Sequence, residues 1–339
     1  MEQWCGTTAI VTGASSGIGA AIAKKFVESG INVVGIARRL NLLQELSEKV
    51  STDDTKLYPI ECDVTDENQI LNVFEWIQST IGAVSILVNN AGIYNGSTTI
   101  DEGDIEIWKQ TISTNCIALS IFTREAIKSM KAHNIDGLII NISSITARYV
   151  VDLPSKSYYV NVYPASKHAV RALTDTLRYE LRYEKSRIKI TSISPGITIT
   201  EVFRNHPSEL LSEFSSMPFM QPDDVADAAL YILSTPSHLQ VNFVKLVYFT
   251  KYEEEEEQMK RAHKRKRRFW VHDMLKKRNE EGEFATLHIE DKTKFFTYYR
   301  MSRHEFNILL QEVEGVLQKE NTTFRESIQP VQQHAVCLR

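Results

Sequence analysis

The chain has 339 residues, 42% of them hydrophobic and 24% charged, with a formal net charge of −4. That is ordinary material for a globular protein with a sizeable core, long for one domain and short for two large ones. A net charge this small singles out no partner, although the basic excess is concentrated after residue 259.

Cys5, Cys62, Cys116 and Cys337 lie far apart and share no metal-ligand spacing. They read as reduced thiols of a reducing compartment. The opening MEQWCGTTAIVTG has no basic run and no apolar stretch long enough for a signal peptide or a spanning helix. The expectation is a soluble, cytoplasmic chain with no membrane span.

From Thr7 to about Ser234 short apolar runs alternate with helical stretches. TTAIVT precedes ASSGIGAAIAKKFVES, and INVVGIA precedes RRLNLLQELSEKV. KLYPIEC leads to a helix over Asp66–Ser79, and SILVNNAG to one long helix from about Ile105 to Lys131. GLIINISS precedes a helix after Tyr163, and IKITSISPG one begun by Pro222. Strands alternating with helices predict βαβ units and an α/β, Rossmann-type, doubly wound parallel sheet. AIVT, NVVGIA and LIINI are almost wholly apolar, as strands covered on both faces should be.

TGASSGIG, Thr12 to Gly19, follows a strand and opens a helix. Gly13 permits the tight turn, Gly17 a close backbone approach to a pyrophosphate, and Gly19 close packing of helix on strand. The helix N-terminus offers N–H donors and positive dipole to phosphates. A flexible turn would use the same glycines, and the strand–loop–helix setting argues against it. The second strand ends in Ala37-Arg38-Arg39, where a basic residue suits a ribose 2′-phosphate and an acidic one a 2′-hydroxyl. This points to NADP rather than NAD, unless both arginines are solvated loop charges.

Tyr163 and Lys167 of YPASK share one helical face. An ammonium beside a phenol stabilises the phenolate, so the pair can act as acid or base toward an alcohol or carbonyl. By itself such a pair is usually a solvated face. Here Ser143-Ser144 ends one strand, Asn89-Asn90-Ala91-Gly92 ends another, and Asn115 interrupts an apolar-patterned helix. Ligands of open α/β sheets bind at the strands' carboxyl ends. Asn115 reads either as part of that site or as a satisfied core asparagine.

TGASSGIG, CDVTD, NNAG, the serine strand, YPASK and SPGITIT, in that order, resemble the short-chain dehydrogenase/reductase family over roughly residues 6–240. The arrangement is especially similar to insect farnesol dehydrogenases and related cytosolic NADP-dependent members. The resemblance implies that Tyr163 is the acid/base, that Lys167 lowers its pKa and holds the nicotinamide ribose, and that Ser144 polarises the substrate oxygen. The choice of Ser144 over Ser143 rests on family register. Asn115 would support a water leading to Lys167. Asp63 and Val64 would contact the adenine, Asn89 would lie over the cofactor, and Thr200 would meet the nicotinamide amide. The implied NADP(H) contacts are Gly13, Ser15, Ser16, Gly17, Ile18, Gly19, Arg38, Arg39, Asp63, Val64, Asn89, Ala91, Gly92, Tyr163, Lys167, Pro195, Gly196, Thr198 and Thr200. The reaction implied is hydride transfer between NADP(H) and a CH–OH or carbonyl group, with no metal. A homodimer through the helices after Asn115 and Tyr163 is implied as well.

Ile145–Val162 and Ile197–Met220 should wall the substrate pocket. Val150, Val151, Leu153, Tyr158, Tyr159, Phe203, Met217 and Phe219 would line it for a lipophilic alcohol or carbonyl, isoprenoid-like or steroid-like. Equally, half of them could simply pack loops onto the sheet.

The family register fades at Val241-Asn242, which puts the last strand in question. EEEEEQMKRAHKRKRR, Glu253 to Arg268, then marks a junction, with a dehydrogenase domain over 1–245, a charged linker over 246–268 and a helical extension over 269–339. Ser302-Arg303-His304-Glu305 has capping-box spacing ahead of an apolar helical face. Residues 261–339 resemble the N-terminal region of harbinger-type transposase-derived nucleases, without the acidic metal-binding nuclease residues, so nuclease activity is not expected. Five consecutive acids read as solvated linker rather than a metal site. The basic run 260–268 could serve nuclear import or nonspecific phosphate contact, but is read first as solvated linker. The runner-up function is a DNA-associating fusion with the dehydrogenase as passenger.

Overall fold

The computed structural model describes residues 1–95, 99–150, 160–201 and 219–247. The chain divides into a unit Met1–Phe249 and a unit Thr250–Arg339. The extension and its transposase resemblance lie outside the described residues, as does the charged linker beyond residue 247.

Seven parallel strands form the sheet, in the order β3-β2-β1-β4-β5-β6-β7. They are β1 (Thr8–Thr12), β2 (Asn32–Ala37), β3 (Leu57–Glu61), β4 (Ile86–Asn89), β5 (Leu138–Ile142), β6 (Lys189–Pro195) and β7 (Phe243–Leu246). Helices α1 (Gly17–Glu28) and α2 (Leu40–Val50) follow β1 and β2, and α3 (Glu67–Thr80) follows β3. Between β4 and β5 run α4 (Ile105–Ile112) and α5 (Leu119–Ala132); α6 (Tyr163–Tyr183) precedes β6 and α7 (Pro222–Ser234) precedes β7.

Strand periodicity explains why the central runs are apolar throughout. Ala9, Val11, Ile86, Val88 and Ile140 pack with Phe26 of α1 and Ile232 of α7 on one face. Ile10, Leu87 and Ile139 pack with Val73 of α3 and Phe122 of α5 on the other. Strand order reverses between β1 and β4, and that reversal opens the crevice in which such sheets bind ligands.

The structure departs from expectation at one place and shows a strand that the sequence left open. The long helix expected over Ile105–Lys131 is broken by a π-helical stretch, Ser113–Ala118, that contains Asn115. No Gly or Pro marks this in the sequence. The last strand is present: β7 pairs with β6 from Ser192↔Phe243 to Pro195↔Leu246. Its approach is fixed by Arg178 Nη2, which donates to the Asn242 carbonyl at 2.8 Å, and by Gln240 Nε2, which donates to the Ile190 carbonyl at 2.8 Å. The Arg148 guanidinium lies 3.8 Å over the Phe243 ring. Among the described residues no helix is long and apolar enough to cross a membrane, and no cluster of three His, Cys, Asp or Glu could hold a metal ion.

Candidate active site

The phosphate loop joins β1 to α1. A Cβ on Gly19 would fall 2.3 Å from the Gly13 carbonyl oxygen, so helix and turn approach as only glycine allows. Gly17 is at φ +56°, and a Cβ there would lie 2.9 Å from the Thr200 methyl. Ser16 caps α1 without a side-chain bond to its N–H groups, so Ile18 and its neighbours present donors that the cap does not claim. The hydroxyls of Ser15 and Ser16 instead accept from Arg39 Nη2 at 3.1 and 2.9 Å. Arg39 also pairs with Glu201, Nη2 to Oε2 at 2.6 Å. These residues fit a phosphorylated dinucleotide: an uncapped helix N-terminus, a glycine cradle and a cation at the end of β2.

Arg38 is exposed and lies near Asp63. Burial pushes the Asp63 carboxyl up, but bonds from the Thr65 N–H at 2.9 Å and hydroxyl at 2.7 Å, with the charge of Arg38, hold it below the usual range. The Asp63 N–H donates to Gln69 Oε1 at 2.8 Å, and Val64 beside it is 9% exposed.

The Asn89 side chain is engaged within the protein. Leu87 faces the α3–α5 layer, and strand alternation turns Asn89 the same way. Its Nδ2 donates to Thr123 Oγ1 and Asn141 Oδ1, both at 2.9 Å, and Asn141 Nδ2 donates to Thr174 Oγ1 at 2.8 Å. Asn90 faces the cleft side instead, where Nδ2 donates to the Thr12 carbonyl at 2.9 Å and the Gly13 carbonyl at 3.2 Å. Thr12 Oγ1 accepts the Asn90 and Ala91 N–H groups at 3.0 and 2.9 Å. The sequence reading missed Thr12 and Asn90 as residues that lock β1 to β4; their places in TGASSGIG and NNAG were the available signal.

Tyr163 opens α6, and Lys167 lies one turn on. Lys167 is 5% exposed and its Nζ donates to the Ile142 carbonyl at 3.0 Å, where β5 ends. Burial lowers its pKa to about 8, against an opposing pull from Cys116. Nζ lies 5.7 Å from the Tyr163 ring centroid. The Tyr94 ring meets Tyr163 edge-on, centroids 5.1 Å apart at 73°. Gly92 stands against both Asn115 Oδ1 and Lys167 Nζ, 3.4 and 3.6 Å from a Cβ placed on it.

Asn115 is 2% exposed. Its Oδ1 accepts the Ile93 N–H at 2.8 Å, and its Nδ2 donates to the Ile93 carbonyl and to Ser166 Oγ, both at 3.0 Å. Ser166 Oγ donates to the Tyr163 carbonyl at 2.7 Å. The side chain is thus satisfied within the protein, and it ties the loop after β4 to the start of α6. Ser166 was not singled out from the sequence, although it is the fourth letter of YPASK.

Ser144 Oγ accepts from the Thr146 N–H at 3.1 Å and the Thr146 hydroxyl at 2.9 Å, so its own proton remains to donate. Ser143 continues β5, its N–H donating to the Ile193 carbonyl at 2.7 Å, and its hydroxyl is buried without a partner. Beyond Pro195, the Gly196 N–H donates to the Leu246 carbonyl at 2.8 Å, and buried Thr198 bridges to Met220. Val150 is 63% exposed and Phe219 half-buried. Val151, Leu153, Tyr158, Tyr159, Phe203 and Met217 lie outside the described residues.

A family model described as short chain dehydrogenase matches residues 7–210. The chain is 39% identical over 243 residues to a farnesol dehydrogenase of Aedes aegypti, covering 71% of this chain and 96% of that protein. It is 40% identical over 253 residues to dehydrogenase/reductase SDR family member 11 of Homo sapiens, covering 73% and 95%. Among solved structures it is similar to the closed form of serine dehydrogenase complexed with NADP+, with a TM-score of 0.63, 28% identity, and coverage of 71% and 94%.

Proposed function

The chain belongs to the short chain dehydrogenase family, and from that membership we propose that it is an NADP(H)-dependent oxidoreductase interconverting a lipophilic alcohol and its carbonyl. The observation that carries the reading is the buried Lys167 ammonium, bonded to the end of β5 and 5.7 Å from the Tyr163 ring, with Ser144 two residues beyond Ile142.

The phosphate loop, Arg38, Arg39 and the segment from Pro195 to Thr200 would hold NADP(H); Asp63 and Val64 would flank its adenine. When bound, that cofactor supplies or accepts the hydride at the substrate carbon. The protein's own task is one proton. In reduction Tyr163 donates its phenolic proton to the substrate oxygen, and in oxidation the phenolate takes that proton back. The Lys167 charge stabilises the phenolate between the two. Ser144 donates a hydrogen bond to the same oxygen. Asn115, through Ser166, fixes the backbone from which Tyr163 projects.

An isoprenoid-like or steroid-like substrate is supported by the apolar residues in 145–162 and 197–220 and by the farnesol dehydrogenase relative. Pairing of two copies through α5 and α6 is part of the same proposal, and a groove of about 430 Å³ lined by Leu119, Ile127, Leu173 and Leu177 lies there. The test is cofactor consumption by the purified chain, with NADPH and with NADH, across a panel of isoprenoid, steroid and small polar aldehydes and ketones. Turnover of the lipophilic members with NADPH supports the reading. Turnover confined to polar members, or to NADH, overturns it.

A further inference from the structure

Arg39 is engaged by an acid as well as by the phosphate loop. Its Nη2 lies 2.6 Å from Glu201 Oε2 while it donates to the Ser15 and Ser16 hydroxyls at 3.1 and 2.9 Å. Glu201 directly follows Thr200, whose methyl crowds Gly17 at the head of α1. One ion pair therefore joins the end of β2, the phosphate loop and the segment after β6. The side chains are 45% and 27% exposed, so the pair does little for fold stability. Its place beside the loop serines gives it a different consequence.

Resting on the NADP(H) reading above, we infer that Glu201 sets the strength of cofactor discrimination by competing with the cofactor's 2′-phosphate for Arg39. A phosphate bound by this guanidinium approaches a carboxylate already in hydrogen-bonding range of the same group. Like charges that close repel in a partly exposed site. The guanidinium has further N–H groups and can still donate to phosphate, but with Glu201 attached it brings little net positive charge. NADH carries a hydroxyl in place of the phosphate. An acid near the end of the second strand is the group that suits that hydroxyl. Glu201 thus works against NADPH and not against NADH. Arg38 is set apart from this contest: it is exposed, and its near acid is Asp63.

The experiment is a fluorescence titration of the full-length chain with NADPH and with NADH, for the unaltered protein, Glu201→Gln, Arg39→Ala and the double variant. Glu201→Gln is expected to tighten NADPH about two- to fivefold, the scale of one partly exposed charge pair, and not to tighten NADH. That gain should vanish when Arg39 is already alanine. NADPH binding weakened or unchanged by Glu201→Gln would overturn the inference, because the acid would then be positioning Arg39 rather than competing for it. Equal tightening of both nucleotides, or a gain that persists without Arg39, would overturn it too. No nucleotide binding by the unaltered chain overturns the parent reading together with this one, whereas binding without any Glu201 effect overturns only this one.

Discussion

The ammonium of Lys167 rests on the carbonyl oxygen of Ile142, 3.0 Å away, with only 5% of the residue exposed. A cation buried against one neutral acceptor is under-compensated, which is why its proton is held only to about 8 rather than 10.5. The arrangement exchanges stability for a charge placed beside Tyr163.

Stability should therefore rise with pH in the range set by this lysine. The unfolded chain keeps the proton up to 10.5, the folded chain only up to about 8, so the unfolded state binds more protons between those values. Lys167→Met should raise stability to urea by about 1–3 kcal/mol near neutral pH while abolishing turnover. The advantage should shrink as pH approaches the upper value. A variant less stable than the parent at neutral pH would mean that the Ile142 bond outweighs the burial.

Ser166→Ala removes one of the two acceptors of Asn115 and the donor to the Tyr163 carbonyl. Turnover should fall about tenfold or more while the NADPH dissociation constant changes little, since only the placement of Tyr163 is loosened. Ser166→Thr should restore part of it. A loss of NADPH affinity equal to the loss of turnover would assign Ser166 to the cofactor site instead.

Gly19→Ala forces a methyl to within 2.3 Å of the Gly13 carbonyl. The loop must shift, at a cost of about 1–3 kcal/mol, and NADPH binding should weaken by about tenfold or more. Titration and urea unfolding read the two effects separately.

Arg178→Ala removes the bond from α6 to the Asn242 carbonyl. Hydrogen exchange should accelerate in β7 and at Ser192–Pro195, its partners, and leave β1 and β4 protected. Uniform acceleration through the sheet would mean that β7 unfolds only with the whole domain.

The order of strands and helices was legible because strands buried on both faces are apolar throughout, and Ile10 and Val11 serve opposite layers. YPASK and TGASSGIG were legible because local spacing makes their geometry. The partners of Asn89 were not, because the direction of its side chain is set by strand alternation and by Thr123, distant in sequence. The π-helical stretch at Asn115 has no compositional mark, since nothing in STNCIA breaks a helix. β7 was left open because the family register fades at Val241-Asn242; it forms through backbone pairing with β6 and the contacts of Arg178, Gln240 and Arg148, which do not depend on that register. Glu201 was overlooked because only folding brings it to Arg39.

The central claim is that Tyr163 moves the proton, and Tyr163→Phe tests it by removing the hydroxyl alone. Turnover of a carbonyl substrate with NADPH and the NADPH dissociation constant would be measured on the same preparation. The account predicts a fall in turnover of about a hundredfold or more, with affinity for NADPH nearly unchanged. Turnover equal to that of the unaltered chain would contradict it.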